Sequence, residues 1–122
     1  MQLHHAFFLF VFASGMAAGQ MLFKLVGIRY STTFSQQGFF PGLLAMAGDS
    51  LFWFACVLYC ALTFFWIWLL SFLPLSKAYP ATFFSLIIVS ACGFYFLNEP
   101  VSLRLLAGLV FMCLGIVLVA TG

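Results

Sequence analysis

The chain has 122 residues, of which 66% are hydrophobic and only 5% charged, and its formal net charge is +2. A soluble domain of this size buries too small a share of its surface to hide that much apolar area, so most of the chain must be solvated by lipid. The small net charge and the lack of a basic patch exclude an electrostatically driven nucleic-acid partner.

The first predicted element covers residues 6–28, an apolar run interrupted by one charge, Lys24. It differs from a signal peptide: His4 and His5 precede it without any Lys or Arg, and its apolar stretch exceeds a typical h-region. It is read as a retained helix. Gly15-Met16-Ala17-Ala18-Gly19 is a GxxxG segment, with Ser14 and Ala18 as a second small pair. Small residues at this spacing let another helix backbone approach closely, although glycine is also frequent in membrane helices generally. Gln20 and Lys24 lie one turn apart on the same face. Lys24 either snorkels to the interface or serves as a cationic binding group.

Residues 29–50 form the one long connection. It begins polar, from Ser31 to Gln37, and turns apolar from Gly38 to Ala47. Ten residues are too few to span a bilayer, so a short interfacial or re-entrant helix starting near Pro41 is predicted. The alternative is an extended start to the next span, against which Asp49 argues, because an aspartate at depth is costly.

The second span covers residues 51–73. Cys56 and Cys60 share one of its faces, while Cys92 and Cys113 lie in later spans. With no His, Asp or Glu beside them, all four read as small packing residues, and neither a metal site nor a cofactor is expected. The third span covers residues 81–97, with Ala78-Tyr79-Pro80 in its first turn, where proline is tolerated. Ser85, Ser90 and Tyr95 are its polar residues. In the short connection that follows, Glu99 is read as a cap or as an ion-pair partner of Arg104. The fourth span covers residues 101–121, where Gly108 and Gly115 are seven apart and nearly on one face.

Spans of 17 to 23 residues reach about 26 to 35 Å at the helical rise, enough for the hydrocarbon core. Helix is the reading that pairs every backbone group internally, and the runs lack the alternation of barrel strands. The fold class is therefore all-α, a four-transmembrane-helix bundle in one integral membrane domain, residues 1–122. Both termini share one side. The first and third loops on the other side carry Lys24, Arg29 and Arg104 against Lys77 alone, which by the positive-inside rule places those loops in the cytoplasm.

Several motifs occur in order: Gly19-Gln20-x-x-x-Lys24, Leu73-Pro74-x-x-x-Ala78-Tyr79-Pro80, Glu99-Pro100-Val101-Ser102-x-Arg104-x-x-x-Gly108, and Gly115-Ile116. Together they resemble the small four-helix branch of the drug/metabolite transporter superfamily, over nearly the whole chain except the long first loop. The small multidrug resistance proteins share the Pro-x-x-x-Ala-Tyr element and the last-helix glycines. Their first-helix glutamate, eight residues before the lysine, is Met16 here. The Gly-Gln, Ala-Tyr-Pro and Glu-Pro-Val-Ser elements are more similar to the 4-amino-4-deoxy-L-arabinose–phosphoundecaprenol flippase subunits, in which no such glutamate is expected.

That resemblance implies a subunit that moves a lipid-linked sugar across the bacterial inner membrane and is not an enzyme. On this reading Gln20 and Tyr79 supply hydrogen bonds to a polar headgroup, and Lys24 and Arg104 meet a phosphate. Gly15, Gly19, Gly108 and Gly115 are the expected helix-packing positions. Four helices make a thin wall, so the expected unit has two chains, as a homodimer or as a heterodimer with a similar small membrane protein, in contact with membrane lipid. A small-molecule exporter and a non-transporting helper of another membrane protein are the alternatives. Met16 argues against a proton-coupled exporter.

Overall fold

The computed structural model describes residues 3–122. Seven helices occur in this stretch: α1 (Leu3–Arg29), α2 (Ser31–Gln37), α3 (Phe39–Met46), α4 (Ser50–Leu70), α5 (Leu75–Ala81), α6 (Phe84–Phe96) and α7 (Leu103–Thr121). Among the described residues there is no strand. By length and composition, four helical stretches can cross a membrane: α1, α4, α5 with α6 taken as one span over Leu75–Phe96, and α7. The protein is an all-α, multi-pass membrane bundle.

Helix α1 is the shared element of the bundle. It packs against α4 and against α5 and α6, while α7 lies outside against α5 and α6. The pairing of α1 with α4 is antiparallel and can be followed residue by residue. Near the start of α1, Phe8 meets Trp68 and Phe12 stacks on Trp66, with the second pair's ring centroids 4.9 Å apart. Further along, Gly15 faces Leu62 and Gly19 lies under the Tyr59 ring. At the far end an Arg29 guanidinium nitrogen sits 2.6 Å from an Asp49 carboxylate oxygen. Charge pairs one end and aromatic packing the other, so the register of the two helices is fixed at both ends. The innermost apolar cluster (Leu9, Phe12, Leu69, Leu73, Ala78, Ala81) joins the start of α1 to the end of α4 and to α5.

The connection between α1 and α4 is mostly helical. The polar stretch expected as loop forms α2, and the apolar stretch forms α3, a separate eight-residue helix with Pro41 in its first turn. Gly38 turns the chain between them at φ +97°, a conformation that disfavours a side chain. The hairpin closes because the Phe34 ring covers Gly42, where a Cβ would collide with it. At about 12 Å, α3 is too short to span, and its Phe39, Phe40 and Leu44 are exposed. Asp49 ends the connection by capping α4: its carboxylate accepts the Leu51 N–H at 2.9 Å as well as the Arg29 bond. These two bonds, the backbone one first, hold its carboxyl below the usual carboxylate range. The sign is that of a depressed acid, so the stabilisation it gives persists through neutral pH and fades as pH falls through the lowered value.

Two sequence expectations are corrected in the later spans. Helix α5 begins at Leu75, with Pro74 as its cap, which puts Pro80 in the second turn rather than the first. Proline has no N–H to give to the carbonyl one turn back, so the helix cannot continue regularly. Bonds of the tighter three-residue kind take over: Thr82 N to Tyr79 O, Phe83 N to Pro80 O, Ser85 N to Thr82 O and Leu86 N to Phe83 O, all between 2.9 and 3.1 Å. The third span is thus a broken helix. Glu99 also behaves differently from expectation. Asn98 adopts a left-handed φ of 52°, which lets the Glu99 N–H bond to Gly93 O at 3.1 Å. The turn folds the Glu99 carboxylate back over Gly93, and it makes no ion pair with Arg104. Among the described residues the one ion pair is Arg29–Asp49. Helix α7 is capped instead by Ser102, whose hydroxyl accepts the Leu105 N–H.

Candidate functional site

Beside the break in the third span lies a cavity of about 370 Å³ with four polar side chains on its wall. Its walls are Met16 and Gln20 from α1, Tyr79 from α5, Thr82 and Phe83 at the break, and Ser85, Leu86 and Val89 from α6. Gln20, Tyr79 and Phe83 are exposed, so the cavity opens through the side of the bundle. A larger concavity of about 640 Å³ follows the outer face of α1; among the described residues its lining comes from that helix alone, with His4 as the one polar side chain.

Each of the polar groups Gln20 and Thr82 is held in place. The Gln20 side-chain amide donates to the Tyr59 hydroxyl at 2.8 Å, and that hydroxyl donates to Met16 O at 3.2 Å. The Tyr59 ring is parallel to Phe23, with centroids 4.9 Å apart. Helix α4 therefore orients the Gln20 amide without itself lining the cavity. The Thr82 hydroxyl donates to Tyr79 O at 2.6 Å, which partly satisfies the broken turn. Ser85 and Thr82 are 9% and 4% exposed. Tyr79 also borders a second cavity of about 480 Å³, formed with Trp66, Leu75, Ser76 and Pro80.

The structure brings Gln20 and Tyr79 together and leaves the expected cations out. Lys24 is exposed on α1, one turn beyond Gln20 and not on the cavity wall. Arg104 is exposed in the first turn of α7. Gly15 and Gly19 face side chains of α4. Gly108 and Gly115 lie on the open face of α7, where a Cβ added to either would meet nothing within 4 Å. Ser90 and Tyr95 do not reach the cavity, and Tyr95 is 84% exposed. Two residues that spacing and motifs do not single out, Tyr59 and Thr82, prove to shape the site. Tyr59 carries a signal in the sequence all the same, as a lone phenol deep in an apolar span.

Fold and cavity define a small multi-pass membrane protein with a neutral polar site in its side wall. Three curated relatives give that class a more particular likeness. One from Hamiltonella defensa is 42% identical over 57 residues, 47% of this chain and 51% of the relative. Those from Photorhabdus laumondii and Proteus mirabilis are each 39% identical over 56 residues, 46% of this chain and 50% of the relative. All three are named as probable 4-amino-4-deoxy-L-arabinose-phosphoundecaprenol flippase subunit ArnE. The resemblance read from the motifs is to these same subunits. The chain spans about half the length of the curated relatives it matches. No family model and no solved structure matches it.

Proposed function

We propose that the chain is one subunit of a bacterial inner-membrane flippase that moves a polyprenyl-phosphate-linked sugar between leaflets. The observation that carries this reading is the side-opening cavity with Gln20 and Tyr79 on its wall, in a chain similar to three named flippase subunits. Moving such a lipid means carrying a polar headgroup through a low-dielectric layer while the tail stays in lipid. Hydrogen-bonding groups along an open lateral groove lower that cost. Met16 lines the same cavity, so a thioether occupies the position where the small multidrug resistance resemblance implies a proton-exchanging glutamate. Translocation on this reading runs downhill, drawn by consumption of the lipid on the far side.

The test is the leaflet distribution of the glycolipid in cells with and without the chain. Exposure of the sugar to a membrane-impermeant label on the periplasmic face should fall several-fold on removal, with total glycolipid unchanged. Equal labelling would reject the flippase reading.

The working unit on this reading has two chains. Gly108 and Gly115 mark an open seam on α7, the outermost helix, and a second small membrane protein, identical or similar, covers it. Gly108→Leu and Gly115→Leu should hold the partner backbone away, and crosslinks between subunits through α7 should drop at least several-fold. Unchanged crosslinking in both variants would show that the partner packs elsewhere.

A further inference from the structure

We infer that the cavity between α1 and the broken third span takes the uncharged, hydroxyl-bearing ring of a lipid-linked headgroup and leaves its phosphate outside, with Ser85 and Thr82 as specificity-determining residues. This rests on the flippase reading above. Every polar side chain on the cavity wall, Gln20, Tyr79, Thr82 and Ser85, is neutral. A phosphate buried there would lack a cation, and an unpaired charge in a low-dielectric site is heavily penalised. Lys24 lies on the Gln20 face of α1, about 6 Å further along the axis, outside the wall.

The remaining groups suit a sugar. Ser85 is almost wholly buried apart from the cavity it lines, and its hydroxyl makes no hydrogen bond among the described residues. Thr82 spends its proton on Tyr79 O but keeps its acceptor pairs. Gln20 spends one amide proton on Tyr59, keeping the other and its carbonyl. Tyr79 and Phe83 present aromatic rings 5.6 Å apart and edge to face, an apolar surface for the C–H face of a ring. Apolar walls with a few convergent polar groups are the usual make-up of a small-molecule site. The volume of about 370 Å³ equals roughly a dozen waters at about 30 Å³ each. That is room for one monosaccharide with some water, not for a chain of them.

The experiment compares two probes on the purified full chain in lipid nanodiscs: farnesyl phosphate, and the same lipid carrying one glucose on the phosphate. Trp66, beside Tyr79 in the adjoining cavity, reports binding by fluorescence. The wild type should bind the glucosylated probe more tightly. Ser85→Ala should weaken that probe by about tenfold, the usual effect of leaving one hydrogen bond unmade at a buried position, and leave farnesyl phosphate unchanged. Thr82→Val should do the same and Thr82→Ser should recover binding. If Thr82→Val fails to fold because the bond to Tyr79 O is lost, Ser85→Ala alone decides. Equal weakening of both probes, or no effect of Ser85→Ala on either, overturns the inference. If farnesyl phosphate binds and the glucose adds nothing, the inference fails while the flippase reading stands. If neither probe binds the wild type, both fail.

Discussion

Gly19→Leu is expected to leave little correctly folded protein in the membrane. Gly19 is buried where α1 packs on α4, and any Cβ there would overlap the Tyr59 ring. The ring cannot easily swing aside. Its hydroxyl is tied to Met16 O and to the Gln20 amide, and its face lies on Phe23. Either α1 moves off α4 or this network breaks. Overpacking of this kind costs about 1 to 3 kcal/mol, and more where polar bonds are lost with it. Leucine is the better helix former, so helix propensity works in the opposite direction and cannot explain a loss. Gly15→Ala should be mild by comparison, because the nearest atom, at 2.8 Å, is the end of the flexible Leu62 side chain. Gly27 has nothing within 4 Å, so Gly27→Leu is the control. The check is the fraction of monodisperse protein after heating in detergent. It should fall steeply for Gly19→Leu and stay near wild type for Gly27→Leu. Wild-type stability of Gly19→Leu would contradict the α1–α4 packing.

On the proposed function, Lys24→Met should lower sugar delivery by at least about tenfold, as expected if one charge-assisted hydrogen bond to a phosphate is lost. Methionine keeps an apolar stem of similar reach, so packing and membrane insertion are preserved and only the charge is removed. Lys24 stands alone on its stretch of α1: Arg29, just over a turn further, is already committed to Asp49. The measurement is the periplasmic appearance of sugar-modified product at matched protein levels, with Lys24→Arg retaining most of it. Full delivery by Lys24→Met would mean that the ammonium only reaches interfacial water. The phosphate contact would then fall to Arg104 or to the partner chain.

The spans can be read from sequence because length and apolarity alone dictate them in lipid. What escapes such a reading depends on contacts between distant residues. Ser31–Gln37 has no apolar period, and its helix is held by Phe34 closing on Gly42 across the Gly38 turn, a tertiary event. Pro80 is visible as a breaker, but its effect depends on where the helix starts. Pro74 caps that helix and makes Leu75 its first residue, well before the apolar run that marks the span in the sequence. Glu99 and Arg104 look like a pair by spacing alone, and a single left-handed residue, Asn98, separates them. In the site, Gln20 and Tyr79 are legible as polar groups in or beside apolar spans. The Tyr59 hydroxyl that orients Gln20 comes from 39 residues away, a distance over which spacing carries no information.

The break at Thr82 and Phe83 also divides the third span mechanically. Where three-residue bonds replace the four-residue ladder, a helix bends more cheaply than along its intact turns. The seven residues of α5 on one side of that joint touch both α1 and the outer helix α7, and they carry Tyr79, which borders two cavities at once. A chain pressed against α7 would therefore bear on a short lever whose far surface is the partition between those chambers. On the proposed function, assembly with a second chain and access to the headgroup would then be coupled through α5.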